Sequence, residues 1–152
     1  MSAKKVAVGC DHAGVELKDQ VSKLLAARGF EVEDVGTFGN DSVDYPDFAS
    51  QVSRKVGSGE ARFGVLVCGT GLGMSIVANK YRGVRAAVCT SEFEARATRA
   101  HNDANVLCLG ERVVGLGLGE AIAAAFFDTD FEGGRHERRV QKIRDAEAEN
   151  ER

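Results

Sequence analysis

Short apolar runs alternate along the chain with longer segments in which apolar residues recur every three or four positions. The runs predict five strands, whose sequences are "KVAVGC", "EVEDVG", "FGVLVC", "VRAAVC" and "NVLCLG". The longer segments predict helices, among them "GVELKDQVSKLLAARG", "DYPDFASQVSRKV", "GMSIVANKYRG", "SEFEARATRAH" and "GLGLGEAIAAAFFD". A final charged segment, "RHERRVQKIRDAEAENE", predicts a C-terminal helix. This alternation indicates an α/β protein with a parallel sheet covered on both faces.

We expect one domain over residues 1–152, a Rossmann-like three-layer sandwich in which residues 144–152 form a polar tail of the C-terminal helix. The expected strand order of the five-stranded sheet is 2-1-3-4-5. In that order the sheet has a switch point between strands 1 and 3, and ligands bind there beyond the carboxyl ends of the strands. The segments "GCDHAG" and "CGTGLG" should therefore meet at this edge.

Composition narrows the possible functions. A hydrophobic fraction of 43% suits a folded core, and a net charge of −3 gives no general attraction to nucleic acid or anionic membranes. We find neither a signal peptide nor an apolar stretch of the roughly 18 to 20 residues that a membrane span needs. Four cysteines without a C-x-x-C pair favour a reduced protein of the cytoplasm.

The stretch "VLVCGTGLGMSIVANK" joins the third strand to a helix through a glycine-rich loop. It is not a dinucleotide fingerprint, because Met74 stands where G-x-G-x-x-G has its last glycine, and the phosphate-binding G-x-x-x-x-G-K-[ST] is absent. The amides of Gly69, Gly71 and Gly73 are unshielded and can bind an anion at the helix N-terminus. Equally, these glycines can serve only a tight turn.

The cysteine that precedes this loop has two interpretations. Cysteine is among the most buried residue types, and we predict that Cys10, Cys89 and Cys108 lie in the core. Cys68 differs from them because a helix N-terminus can lower the pKa of a thiol toward neutrality and make the thiolate available.

A few other residues can have either a structural role or a role in the chemistry of a site. Asp11 and His12 form a turn or a site; no further His or Cys stands at zinc spacing, so we expect no metal. His101 either caps its helix or takes part in proton transfer. Arg135 and Arg139 are four residues apart and share a helix face, which is either a solvated surface or a phosphate site.

Six segments together carry a resemblance that covers the chain from about Lys4 to Ile143. They are "GCDHAG", "DYPDFA", "CGTGLGMSIVANK", "RAAVC", "AHNDANVLCLGERVVG" and "EGGRHERRV". In this order and spacing they resemble the ribose-5-phosphate isomerase B family, whose wider group includes galactose-6-phosphate isomerase subunits.

The resemblance implies an aldose–ketose isomerase that interconverts ribose 5-phosphate and ribulose 5-phosphate in the pentose phosphate pathway without metal or organic cofactor. Cys68 matches the catalytic base; a branch of the family uses a glutamate instead, at the position of Met74 here. His101 matches the residue that opens the sugar ring, and Thr70 is suited to moving a proton between two substrate oxygens. Positions that match substrate-binding residues are Asp11, His12, Tyr45, Gly69, Gly71, Leu72, Gly73 and Asn102. Arg112, Arg135 and Arg139 match phosphate-binding arginines, and His12 should assist them.

The resemblance also implies a homodimer, or a tetramer of two dimers, with sites shared between subunits. Two alternatives remain open at this point. One is isomerisation of a 6-phosphohexose such as allose 6-phosphate or galactose 6-phosphate, and the other is non-catalytic binding of a sugar phosphate. A thiol redox protein is disfavoured, because no resolving cysteine lies near Cys68 in the sequence.

Overall fold

The structure is a computed structural model that describes residues 4–151. Its strands are β1 (Lys5–Cys10), β2 (Glu31–Asp34), β3 (Phe63–Cys68), β4 (Ala86–Val88) and β5 (Val106–Gly110). Its helices are α1 (Val15–Ala27), α2 (Tyr45–Gly57), α3 (Leu72–Ala78), α4 (Glu92–Asn102), α5 (Glu111–Phe127) and α6 (Arg135–Glu149). The predicted alternation of strands and helices is confirmed.

The five strands form one parallel sheet in the order β2-β1-β3-β5-β4. The expected order 2-1-3-4-5 is wrong in its last two strands. The reason lies in length and burial, because β5 is buried along its whole length, whereas β4 has only three half-buried residues. Short strands suit an edge. The side chain of Asn79 closes this edge by bonding both the N–H and the C=O of Ala86, at 2.8 and 3.0 Å.

Helices cover both faces of the sheet, as a three-layer sandwich requires. The helices α1, α4 and α5 enclose one apolar core, which contains Leu17, Leu107 and Phe126. The helices α2 and α3 enclose the other, which contains Val52, Leu66 and Met74. The helix α6 contacts α4. Cys10, Cys89 and Cys108 are buried in these cores, as predicted.

Local signals set most helix boundaries as predicted. Gly29 follows α1 with a φ of 88°, Pro46 lies in the first turn of α2, and the Ser91 hydroxyl caps α4 by accepting from the amide of Glu94 at 3.1 Å. Two predicted helices have other boundaries. The helix α3 ends at Ala78 rather than at Gly83, and α5 begins at Glu111 and kinks at Gly115, where φ is 71°. Because α5 starts earlier in the sequence than expected, the Glu111 carboxylate lies against the start of α1. There it accepts a hydrogen bond from the amide of Leu17 at 2.7 Å.

Between residues 4 and 151, no helix is both long enough and apolar enough to cross a membrane.

Candidate active site

Cys68 ends β3 at the carboxyl edge of the sheet, where it packs into the apolar core that α2 and α3 enclose. Its side chain is 5% exposed, and its sulfur accepts a hydrogen bond from the amide of Gly71 at 3.1 Å. That amide turns back toward the sulfur because Gly71 has a φ of 78°, a conformation that L side chains rarely adopt. The loop therefore folds around the thiol.

The rest of the glycine loop is held by residues that follow β5. The amide of Arg112 donates to the carbonyl of Gly69 at 3.1 Å, and a β-carbon built on Gly110 would lie 2.5 Å from the carbonyl carbon of Thr70. The Thr70 hydroxyl is exposed and accepts from the amide of Leu72 at 3.3 Å. Backbone contact on two sides thus fixes where the loop amides point.

The segment after β1 meets the loop, as the predicted switch point requires. The backbone amide of Asp11 donates to the carbonyl of Val67 at 3.2 Å. The buried carboxylate of Asp11 accepts from the amide of Ala13 at 2.9 Å. The amide of Val43 donates to Nδ1 of His12 at 3.2 Å. Because Nδ1 accepts, the neutral imidazole of His12 carries its proton on Nε2, which remains available as a donor to a ligand.

A buried lysine holds in place the loop between β2 and α2, which supplies the Val43 amide that contacts His12. Lys18 has no exposed surface, and its Nζ donates to the carbonyl of Thr37 at 2.7 Å and pairs with the Asp34 carboxylate at 2.9 Å. The same loop carries Val43 and leads to Tyr45, whose ring packs against Gly73. Sequence reasoning did not predict a role for Lys18.

The carboxyl edge of the sheet thus collects one group of the predicted site residues. They are Asp11, His12, Tyr45, Cys68, Gly69, Thr70, Gly71, Leu72, Gly73 and Arg112. The second group lies elsewhere, at the end of α4 and the start of α6, and consists of His101, Asn102, Arg135 and Arg139.

Topology separates the two groups within one chain. The end of α4 leads into β5 at Val106, whereas Cys68 pairs in register with Gly110 at the other end of β5. Four steps along a strand span roughly 13 Å, so His101 belongs to the amino edge of the sheet. The structure of one chain therefore does not bring His101, Arg135 and Arg139 to the thiol.

His101 has two neighbours that the sequence did not single out. Its ring stacks on His136 with 4.3 Å between centroids and 13° between planes, and its Nε2 lies 3.7 Å from a carboxylate oxygen of Glu132. That oxygen also lies 3.8 Å from Nε2 of His136. Burial, His101 and Arg135 together lower the pKa of His136 below its ordinary value, which favours a neutral ring. The only signal in the sequence was the four-residue spacing of Glu132 and His136.

Comparisons with known proteins agree on one family. The model of the family described as Ribose/Galactose Isomerase matches residues 6–143. The chain is 50% identical to ribose-5-phosphate isomerase B of Escherichia coli, over 92% of this chain and 94% of that protein. It is 49% identical to a putative sugar phosphate isomerase of Bacillus subtilis, over 96% and 99%. A solved structure, ribose-5-phosphate isomerase B of Clostridium thermocellum, superposes with a TM-score of 0.94 at 52% identity and covers 97% and 99% of the two chains.

Proposed function

Since this chain belongs to the ribose/galactose isomerase family, we propose that it interconverts D-ribose 5-phosphate and D-ribulose 5-phosphate. The observation that carries the proposal is the Cys68 sulfur at the carboxyl edge, with the Gly71 amide 3.1 Å away, in a chain half identical to a ribose-5-phosphate isomerase B. Aldose–ketose isomerisation needs such a pairing of a base with groups that hold negative charge.

The proposed reaction moves one proton from C2 to C1 of the open-chain sugar. The Cys68 thiolate takes the C2 proton, the C–H electron pair forms the C1–C2 double bond, and the carbonyl oxygen receives the negative charge. Amides of the loop from Gly69 to Gly73 stabilise this enediolate, and one such donor contributes roughly 3 to 4 kcal/mol. The Thr70 hydroxyl carries a proton between O2 and O1, after which the thiol returns its proton to C1. A positioned acid–base group contributes about 10² to 10⁴-fold.

We propose further that the site is completed by a second copy of this chain. His101 of the partner subunit opens the furanose ring, and Asn102 of the partner subunit binds the sugar. Arg135 and Arg139 of the partner subunit hold the phosphate together with His12 and Arg112. This arrangement accounts for the separation of the two groups of residues within one chain.

Exposed apolar side chains support an interface beside the thiol. Leu72 and Ile76 on α3, Phe93 at the start of α4 and Val113 at the start of α5 are exposed. All three helices begin at the carboxyl edge of the sheet. A monomer rarely exposes several large apolar side chains at one edge of its sheet unless another surface covers them.

A mixed dimer tests the shared site directly. We would co-express Cys68→Ala and His101→Asn chains with different tags and purify the dimer that carries both tags. In a shared site, one of the two crevices keeps both an intact Cys68 and an intact His101, so the mixed dimer should have about half of the wild-type kcat. Each parent homodimer should be nearly inactive. A mixed dimer as inactive as its parents would contradict the shared site.

Two single variants separate chemistry from phosphate binding. Cys68→Ala should bind ribose 5-phosphate as tightly as the wild type while kcat falls at least about 10²-fold. Arg139→Ala should chiefly raise KM, by about 10-fold or more, because a charge-assisted hydrogen bond is lost. Calorimetric titration and initial rates measure both effects. Loss of binding with turnover intact in the Cys68 variant would reverse the assigned roles.

The substrate itself requires a panel, because the family description covers galactose as well as ribose isomerases. We expect kcat/KM to be highest for ribose 5-phosphate, compared with allose 6-phosphate and galactose 6-phosphate, and unchanged by a chelator. A higher value for a hexose phosphate would support the alternative isomerase. Tight binding without exchange of the C2 hydrogen for solvent deuterium would support a non-catalytic binding protein. We place the reaction in the cytoplasm, which accords with four free cysteines.

A further inference from the structure

Two histidines and a glutamate converge beside the start of α6, although His101 lies far before Glu132 and His136 in the sequence. The Nε2 atoms of His101 and His136 lie 3.7 and 3.8 Å from one carboxylate oxygen of Glu132. All three ligand atoms lie within 4.8 Å of one another, and among residues 4–151 no other group of three such side chains is this close. The backbone fixes the arrangement, since the amide of Glu132 donates to the carbonyl of Ala100 at 3.1 Å.

The distances suit a divalent transition metal after a small inward movement. Zinc binds imidazole nitrogen and carboxylate oxygen at roughly 2.0 to 2.2 Å in tetrahedral geometry, so neighbouring ligand atoms stand about 3.4 Å apart. The distances from the two histidine Nε2 atoms to the Glu132 oxygen, 3.7 and 3.8 Å, each exceed this value by less than 1 Å. His136 is buried and acts as a fixed ligand, whereas about half of each of the His101 and Glu132 side chains is exposed and free to tilt. The parallel rings must also tilt for both nitrogens to face one ion.

We propose that His101, Glu132 and His136 bind one divalent transition-metal ion, such as Zn²⁺, Co²⁺ or Ni²⁺, with water in the remaining position. Two imidazoles and one carboxylate are typical ligands for these ions. Arg135 and Arg139 lie on the same helix turn and oppose the charge of the ion, so the site binds metal more weakly than a structural zinc site does.

The site predicts inhibition by metal ions rather than a metal requirement. An ion that occupies the Nε2 lone pair of His101 prevents this imidazole from exchanging a proton with the sugar. This consequence rests on the proposed function, whereas metal binding does not. In the proposed dimer, His101 faces the crevice of the other subunit, so an ion reaches the site by the route that admits the substrate.

Cobalt titration tests the binding part without any assay of activity. The Cys68→Ala protein is used, so that the exposed edge of the sheet offers no thiol, and Co²⁺ is followed by its visible absorption and by calorimetry. We expect one ion per chain. Glu132→Ala and His136→Asn should each weaken binding at least about 10-fold. Glu137→Ala is the matched control. Glu137 is an exposed carboxylate next to His136 in α6, and it pairs with Arg144 rather than with the histidines.

Each outcome decides a separate point. Equal Co²⁺ affinity in the parent, Glu132→Ala and His136→Asn proteins would overturn the site, and so would no binding by the parent. Because Glu132 is exposed, its alanine variant answers the question even if His136→Asn fails to fold. In the wild-type enzyme, Zn²⁺ should inhibit reversibly. The Zn²⁺ concentration that gives half inhibition should rise at least about 10-fold after Glu132→Ala. Binding without inhibition would leave the metal site intact and contradict the proposed role of His101.

Discussion

Substitution of Gly110 by alanine should displace the catalytic loop without disturbing the fold around it. Gly110 ends β5 and pairs in register with Cys68. Its φ of −108° and ψ of 107° are open to any residue, so alanine introduces no backbone strain. A β-carbon there would lie 2.5 Å from the carbonyl carbon of Thr70 and 2.6 Å from its Cα, and both are backbone atoms that no side-chain rotation can move away.

The size of the effect follows from these distances. An ordinary contact with a β-carbon is 3.4 Å or longer, so the Thr70 backbone must retreat by about 1 Å. Overpacking of this kind costs roughly 1 to 3 kcal/mol of the free energy of unfolding. The shift also moves the Gly71 amide away from the Cys68 sulfur. A misplacement of about 1 Å at a reacting centre can lower the rate about 10²-fold.

Initial rates and urea unfolding measure the two consequences. We expect kcat for ribose 5-phosphate to fall about 10²-fold, with a loss of stability of roughly 1 to 3 kcal/mol. Gly117→Ala is the control, because Gly117 lies exposed in α5 and no atom beyond its own helical backbone and chain neighbours lies within 4 Å of its β-carbon position. That variant should retain its activity and gain up to about 1 kcal/mol of stability. A folded Gly110→Ala protein with kcat within about twofold of wild type would refute the dependence of the rate on loop position.

Two further predictions concern buried side chains. Burial raises the pKa of Cys10 and Cys89 to about 12, so at pH 7 only about 10⁻⁵ of each is thiolate, and iodoacetamide should modify Cys68 alone. Intact mass should show one added group per chain, none after Cys68→Ala, and protection by substrate; rapid labelling of the variant would contradict this. Lys18→Met should lower the free energy of unfolding by about 3 kcal/mol, because it leaves a partly buried carboxylate unpaired. The exposed Lys23→Met on the same helix should cost under about 0.5 kcal/mol, and equal losses in urea unfolding would be evidence against the buried ion pair.

The elements could be predicted from the sequence because their signals are local. Apolar runs, the glycine after α1, the proline in α2 and the serine before α4 act over a few residues, and each placed its element correctly. The meeting of the segments after β1 and β3 was also predictable, because it follows from a switch point between neighbouring parallel strands. These segments contact each other as expected, through Asp11 and Val67.

The contacts that the sequence did not reveal join residues far apart in the chain. Lys18 reads as a solvated residue of an amphipathic helix until Asp34 and Thr37 are placed against it. His136 reads as part of a charged helix until His101 stacks on it. By contrast, the division of the candidate residues between two edges follows from the predicted elements, because His101 ends a helix that leads into a parallel strand, and such a helix ends at the amino edge.

The strand order, the one error in the predicted architecture, determines what surrounds the thiol. Had β4 paired with β3, the segment after β4, beginning at Cys89, would flank the glycine loop. Because β5 pairs with β3, the segment from Gly110 to Arg112 lies there instead, and its backbone holds Gly69 and Thr70. The same exchange reverses the direction of the crossover from β4 to β5, so α4 packs beside α5 on the face of the sheet that α1 also covers. The strand order thus brings Arg112, a phosphate-binding candidate, beside the loop at Cys68. His101 lies at the amino edge in either order, because α4 ends where β5 begins, and a second chain therefore enters the proposed site.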